Sequence, residues 1–244
     1  MLQYDKQTNK QTNKQLGLTN NQLKIIALIS MIVDHVGLAF FPDEDILRII
    51  GRLAFPIYAY LIAEGCKHTK NRKKHLGLIA GMAFVFQIFY FVFMNDLYMG
   101  ILVTFSLSIA FIFTIESFIK NNSPVNRAFM SIIFIGLCYF GIACPELYGD
   151  KGFYIDYGVW GIFLPVLIYF APNKLTKICV TALTIVAMAI FAKPLQWWAL
   201  LAVPLLALYN GKRGKARIKY LFYIVYPLHL VVIYIIMFLI RIIK

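Results

Sequence analysis

The sequence predicts an all-α protein, a polytopic transmembrane helical bundle of about nine spans with its N-terminus inside and its C-terminus outside. Composition, segment length and charge order carry that prediction. Hydrophobic residues make up 61% of the chain and charged residues only 14%, where soluble domains carry about 25% charged residues. Mean hydropathy is +0.73. The apolar residues gather into runs of roughly 20, the length at which a helix crosses a bilayer core.

The candidate spans are residues 23–41, 46–66, 76–94, 100–119, 128–144, 157–171, 175–192, 195–209 and 218–240. The sixth to eighth are short and the region carries Pro165, Pro194 and Pro204. That leaves them open to being tilted, broken or re-entrant. Ahead of them, residues 1–21 form a polar leader with a short repeat around Lys6, Lys10 and Lys14. It is expected to be a disordered cytoplasmic tail, with residues 22–244 forming one transmembrane domain. The first apolar segment is too long for a cleavable signal peptide and is interrupted by Asp34 and His35.

The charges set the orientation. With the N-terminus inside, the inner segments hold 18 of the 24 Lys and Arg residues, in blocks at Lys6–Lys24, Lys67–Lys74, Lys120–Arg127, Lys174–Lys177 and Lys212–Lys219. The outer loops hold Asp43, Glu44, Asp45, Asp96, Glu146, Asp150 and Asp156. This is the positive-inside pattern, and it makes the lipid bilayer the expected first partner. The net charge of +13 is spread over alternating loops rather than one face, which argues against nucleic-acid binding. Cys66, Cys138, Cys144 and Cys179 show no CxxC spacing, so neither a disulfide nor a metal site follows. Walker, GxGxxG, HExxH and GxSxG motifs are absent.

The chemistry is concentrated in a few polar residues at membrane depth. An Asp near the middle of a membrane helix costs about 2.5–3.5 kcal/mol on insertion scales, and here Asp34 stands beside His35. Arg48 and Arg52 lie one turn apart and share a helix face. By depth, Arg52 and His229 fall near the level of His35. Asp34 and Arg52 can form a structural ion pair, and His229 can be a core histidine bonding a carbonyl. Arg48 reads as an outer-interface residue that snorkels, Glu64 and Glu116 as interfacial, and Gln87 as interhelical glue. The basic run from Lys67 to His75 reads first as a topology signal facing anionic lipid. It would equally draw a phosphate-rich ligand.

Several motifs resemble one family. They are Asp34-His35 with Gly37, then Leu47-Arg48 and Gly51-Arg52 with Phe55-Pro56 and Glu64-Gly65, then the His68 to Arg72 run. Farther on come Asp156-Tyr157-Gly158, Tyr209-Asn210-Gly211-Lys212-Arg213-Gly214 and Tyr226-Pro227-Leu228-His229. Together they are similar to the TraX family from residue 23 onward. The resemblance implies an integral-membrane acetyltransferase, the family's named member acetylating the N-terminal amine of a conjugative pilin. It also implies a distant likeness to membrane acyltransferases of sugars and lipids, which carry a His in an early helix at the position of His35.

Acyl transfer needs a base for the acceptor, donors for the developing oxyanion, and exclusion of water. His35 is the expected general base. Asp34 would hold its imidazole or stabilise the cation, or the two neighbours act through different partners. Arg52 would pair with Asp34 or stabilise the oxyanion, and His229 and Tyr226 would add hydrogen bonds. An acetyl-His35 intermediate is a formal alternative. The donor implied is acetyl-CoA, without a metal, its phosphates resting near Lys67, Lys70, Arg72, Lys73 and Lys74 or near Lys212 and Arg213. The acceptor, a peptide amine, sugar or lipid, would enter from the outer face. A small-solute or proton-coupled transporter would also use Asp, His and Arg at membrane depth, though no internal repeat is visible. A scaffold would leave the burial of these groups unexplained.

Overall fold

The computed structural model describes residues 17–94, 96–192, 194–214 and 219–243, and their secondary structure is helical apart from two isolated β-bridges. Among the described residues, seven helical stretches are long and apolar enough to cross a membrane: Asn20–Phe40, Asp45–His68, Arg72–Val92, Ile101–Lys120, Pro124–Lys151, Lys174–Phe191 and Ile224–Ile242. Two further apolar stretches, Gly158–Phe170 and Pro194–Ala207, are helical but shorter. The chain is therefore an all-helical, multi-pass membrane protein. The segment expected at 175–192, grouped above with the short ones, reaches 18 residues as Lys174–Phe191.

Residues 1–16 of the expected leader lie outside the described residues, as do Lys215 and Arg217. Its last residues are ordered, because they have partners. Leu18 exchanges backbone hydrogen bonds with Leu208 and Asn210 at 2.8 and 2.9 Å, and Asn20 N–H donates to Lys212 O at 2.8 Å. Helix α1 (Asn20–Phe40) then starts from Thr19 with a capping box: Gln22 N–H donates to the Thr19 hydroxyl, and Thr19 N–H to the Gln22 side chain. The reciprocal bonds satisfy two of the helix's orphan donors.

The second expected span is not one rod. It divides into α2 (Asp45–Gly51) and α3 (Ala54–His68). Pro56, in the first turn of α3, has no N–H, so the Arg52 carbonyl four residues earlier loses its helical donor. The chain turns tightly here, with Arg52 N–H shared between Arg48 O and Ile49 O and Leu53 N–H on Ile50 O. The break places Arg48 on a short helix packed across α1, with Arg52 as its C-cap.

The remaining helices are α4 (Arg72–Met94), α5 (Ile101–Lys120), α6 (Pro124–Cys138), α7 (Cys144–Tyr148), α8 (Gly158–Phe170), α9 (Lys174–Phe191), α10 (Ala202–Ala207) and α11 (Lys219–Ile243). A π turn, Tyr139–Ala143, joins α6 to α7 just before Pro145, and a 3₁₀ segment, Pro194–Leu201, leads into α10. The core lies among α3, α5 and α8, where Ile57, Tyr60, Ile109, Phe111, Ile112, Ile162, Leu164 and Ile168 are fully buried. Small hydroxyl residues knit these helices together. Ser108 Oγ donates to Ile162 O at 2.7 Å and Thr104 Oγ to Asp156 O at 2.7 Å, the expected use of such groups where lipid offers no competing water. Helices α4, α6 and α11 bury little of their surface against the rest of the bundle. Their outward apolar side chains (Phe84, Ile132, Ile235) suit lipid.

Glu64 and Glu116, near the ends of α3 and α5, are buried. Glu64 pairs with Lys177 of α9. Glu116 takes Arg72 of α4 at 2.7 Å, Lys120, and the Tyr169 hydroxyl of α8 at 2.8 Å. Each carboxylate thus joins helices that come from distant parts of the chain. At the same end Lys67 Nζ donates to Ala171 O at 3.4 Å, and Lys174 Nζ to Ala207 O and Tyr209 O at 2.6 and 2.8 Å. These cations satisfy carbonyls left over at the ends of α8 and α10.

Candidate functional site

The Asp34 carboxylate sits between two guanidinium groups. Arg48 Nη1 reaches Oδ2 at 2.9 Å and Arg52 Nη2 reaches Oδ1 at 2.5 Å. Arg48 also contacts the Asp34 carbonyl at 3.4 Å, and Arg52 Nε donates to Arg48 O at 3.2 Å. The expected Asp34–Arg52 pair is present, and Arg48 joins it. Two cations on one carboxylate leave the cluster with net positive charge.

The close approach depends on a glycine. A Cβ added at Gly51 would lie 2.1 Å from Asp34 Oδ1 and 2.3 Å from its Cβ. The arginines hold Asp34 in place, so it has no easy retreat. Gly51→Ala is expected to destabilise the folded protein by about 1–3 kcal/mol, the range for forced overpacking, read as a lowered melting temperature in detergent. An unchanged melt would mean that this helix pair is not so tightly packed.

His35, next in the chain, turns to a different partner. Its Nδ1 lies 3.0 Å from Nε2 of His229 on α11, and His229 Nδ1 lies 3.0 Å from the Val225 carbonyl. The ring centroids are 5.0 Å apart. The partners assign the tautomers. A carbonyl only accepts, so His229 Nδ1 carries a proton and, in the neutral ring, its Nε2 accepts. His35 Nδ1 must then donate, which leaves the lone pair on His35 Nε2. The relay Val225 O, His229, His35 thus presents a base. Asp34 thus bonds Arg48 and Arg52, while His35 contacts His229.

Tyr226 packs edge-on against both neighbours, with ring centroids 5.9 Å from His229 and 5.1 Å from Phe86. Sequence reasoning assigns no role to Tyr157, which stacks on Phe55 at 3.9 Å and is the one non-glycine residue with positive φ among those described, +60°. Such a backbone is uncommon for a bulky residue and is held by its surroundings. Gly158 N–H donates to Ile155 O at 2.9 Å, and Gly161 leaves no room for a Cβ beside that of Tyr157. The Asp156-Tyr157-Gly158 motif is visible in the sequence, but its left-handed turn is not.

The basic residues lie at the end where α1 starts. All of Lys67, Lys70, Arg72, Lys73, Lys74, Lys212 and Arg213 are exposed, and Lys67 and Arg72 are also tied to Ala171 O and Glu116. Gln87 Nε2 bonds the Tyr98 carbonyl at 2.9 Å, fastening α4 to the following loop.

A family model described as TraX protein matches residues 19–237. A curated relative, named probable fimbrial assembly protein FimC, serogroup H1, of Dichelobacter nodosus, is 26% identical over 239 residues, covering 86% of this chain and 91% of the relative. An uncharacterized protein, RP591, of Rickettsia prowazekii (strain Madrid E) is 28% identical over 166 residues, covering 66% of this chain and 60% of that protein. No solved structure matches the chain. With the match running through Asp34, Arg52, Asp156 and His229, the chain belongs to the TraX family.

Proposed function

We propose that the protein is an integral-membrane acetyltransferase that moves an acetyl group from acetyl-CoA to an amine, of the kind found at a pilin N-terminus, with His35 as general base. The single observation that carries this reading is the His35–His229 relay. It ends in an available Nε2 lone pair beside an Arg48–Asp34–Arg52 cluster of net positive charge. Family membership and the relative named for fimbrial assembly support a pilus-associated acceptor. A sugar or lipid acceptor would use the same base.

His35 Nε2 takes a proton from the acceptor nitrogen as the C–N bond forms, and returns it to the departing sulfur as the C–S bond breaks. His229 spreads the transient positive charge and holds the ring in its tautomer. The guanidinium pair supplies preorganised donors for charge developing on the carbonyl oxygen. General acid–base action of this kind contributes about 10²–10⁴-fold. The exposed Lys70, Lys73, Lys74, Lys212 and Arg213 fit the phosphates of the donor. Lys67 and Arg72, exposed beside them, are also held by internal partners. In this arrangement the chain spans the bacterial inner membrane N-in, C-out, and the basic end faces the cytoplasm.

The test is release of free thiol from acetyl-CoA by the pure protein in detergent, across a panel of peptide amines, amino sugars and water alone. Thiol released only with an acceptor, and a peptide heavier by one acetyl group, is the expected result. Absence of release with every acceptor, together with solute uptake into vesicles, would replace the enzyme by a transporter.

A further inference from the structure

We propose that the cleft between α5 and α6 is a binding site for one anionic glycerophospholipid, with an acyl chain in the cleft and the phosphate on Arg127. It shares no residue with the His35–His229 relay and is independent of the acetyltransferase reading.

The two helices are fastened at both ends of the cleft and stand apart between them. Near the loop that joins the helices, Asn126 Nδ2 donates to Ser117 O at 3.2 Å. Farther along, Phe134 meets the fully buried Phe111 edge to face, with ring centroids 5.4 Å apart. Between the two fastenings, Thr114 of α5 and Met130 and Ser131 of α6 line a cleft of about 400 Å³, with Phe118 at the loop end and Phe134 at the other. That volume falls in the range of ligand pockets, about 300–1,000 Å³. The short Thr114 and Ser131 side chains leave a gap that longer ones would fill. Helix α6 has no buried residue of its own, so whatever fills this gap adds to its packing.

The surroundings select the occupant. Both helices belong to stretches long enough to span a bilayer, so lipid chains reach an apolar gap on this side before any soluble ligand. Left empty, the gap forfeits the dispersion contacts of its walls. An acyl chain restores them without burying a polar group. The rim supplies the charge. Arg127 is exposed, its guanidinium 5.6 Å from the centre of the Phe118 ring that ends the cleft, and its Nη2 donates to Asn122 Oδ1 at 2.6 Å. Glu116, the one carboxylate of α5, is already shared by Arg72 and Lys120. The Arg127 charge therefore stays available for a lipid phosphate, which a guanidinium engages with paired hydrogen bonds. Basic residues beside a cleft between membrane helices are a recurrent setting for anionic head groups.

The test is native mass spectrometry of the full-length protein from detergent that holds equal amounts of phosphatidylglycerol and phosphatidylcholine. The parent is expected to retain one phosphatidylglycerol, in preference to phosphatidylcholine by about fivefold, the effect of one cation at an anionic lipid surface. Arg127→Gln should remove the preference. Ser131→Leu, which fills the cleft, should reduce retention of both lipids while circular dichroism shows it folded. Melting gives a second readout: phosphatidylglycerol should raise the melting temperature of the parent, as a ligand of the folded state does, and leave that of Ser131→Leu unchanged. Equal retention of the two lipids by the parent would overturn the site, as would a preference and a thermal shift that neither variant alters. Displacement of the lipid by glycerol phosphate alone would overturn it as well, because the affinity would then reside in the phosphate and not in the cleft.

Discussion

Replacing His229 with Ala is expected to lower acetyl transfer by one to two orders of magnitude, and replacing His35 with Ala to abolish it. The double variant should be no worse than His35→Ala. His229 touches His35 and not the reacting atoms in this geometry. Its loss leaves the base present but free to rotate and to choose the wrong tautomer, since the acceptor for Nδ1–H at 3.0 Å is gone. Loss of His35 removes the proton acceptor itself, an effect of about 10²–10⁴-fold for general-base action. Residues that act as a unit are strongly non-additive, hence the result for the double variant. His229→Gln is the informative conservative change, because its amide oxygen can accept the same hydrogen bond, and it should recover part of the rate. The measurement is initial rate of thiol release with peptide acceptor, with circular dichroism melts showing that all variants are folded. Additive losses from His35 and His229 would mean that the two rings do not form one relay.

The largest expected effect on stability is at Asp34. Asp34→Ala leaves Arg48 and Arg52 facing each other, with side-chain exposures of only 23% and 9%. Removing one partner from a buried ion cluster costs about 3–5 kcal/mol, because the remaining charge stays without compensation. Here two like charges remain, so the Asp34→Ala protein should melt well below the parent or fail to accumulate in the membrane. The physical cause can be isolated by also replacing Arg48 and Arg52 with Met. The triple variant has no stranded charge and should regain most of the lost stability, while remaining inactive if the guanidinium groups serve the oxyanion. A triple variant as unstable as Asp34→Ala would show that the cluster does not act through charge balance.

The helical layout is legible in the sequence because apolar runs of span length have few alternatives. The break between α2 and α3 is not, although Gly51 and Pro56 announce it. Hydropathy is blind to a missing N–H. The Asp34–Arg52 pair is legible from depth and from the one-turn spacing of the arginines. The same spacing enlists Arg48, but its nearness to the helix start suggests an interfacial role. Depth also places His229 near the level of His35, while their contact requires rotations that depth does not specify. Glu64 and Glu116 lie near helix ends and look interfacial. They are buried because Lys177 and Tyr169 arrive from α9 and α8, more than 50 residues away in sequence. Tyr157 is the least legible residue, since its left-handed backbone follows from the clamp between Met99 and Asp156 and not from a local preference.

The most direct measurement compares the parent with His35→Ala, each reconstituted in liposomes, for transfer of labelled acetyl from acetyl-CoA to the N-terminal amine of a peptide. Label on the peptide with the parent, and none above background with a folded His35→Ala protein, is the predicted result. Equal labelling by the two proteins would contradict the assignment of His35 as the base and of the His35–His229 relay as the active site.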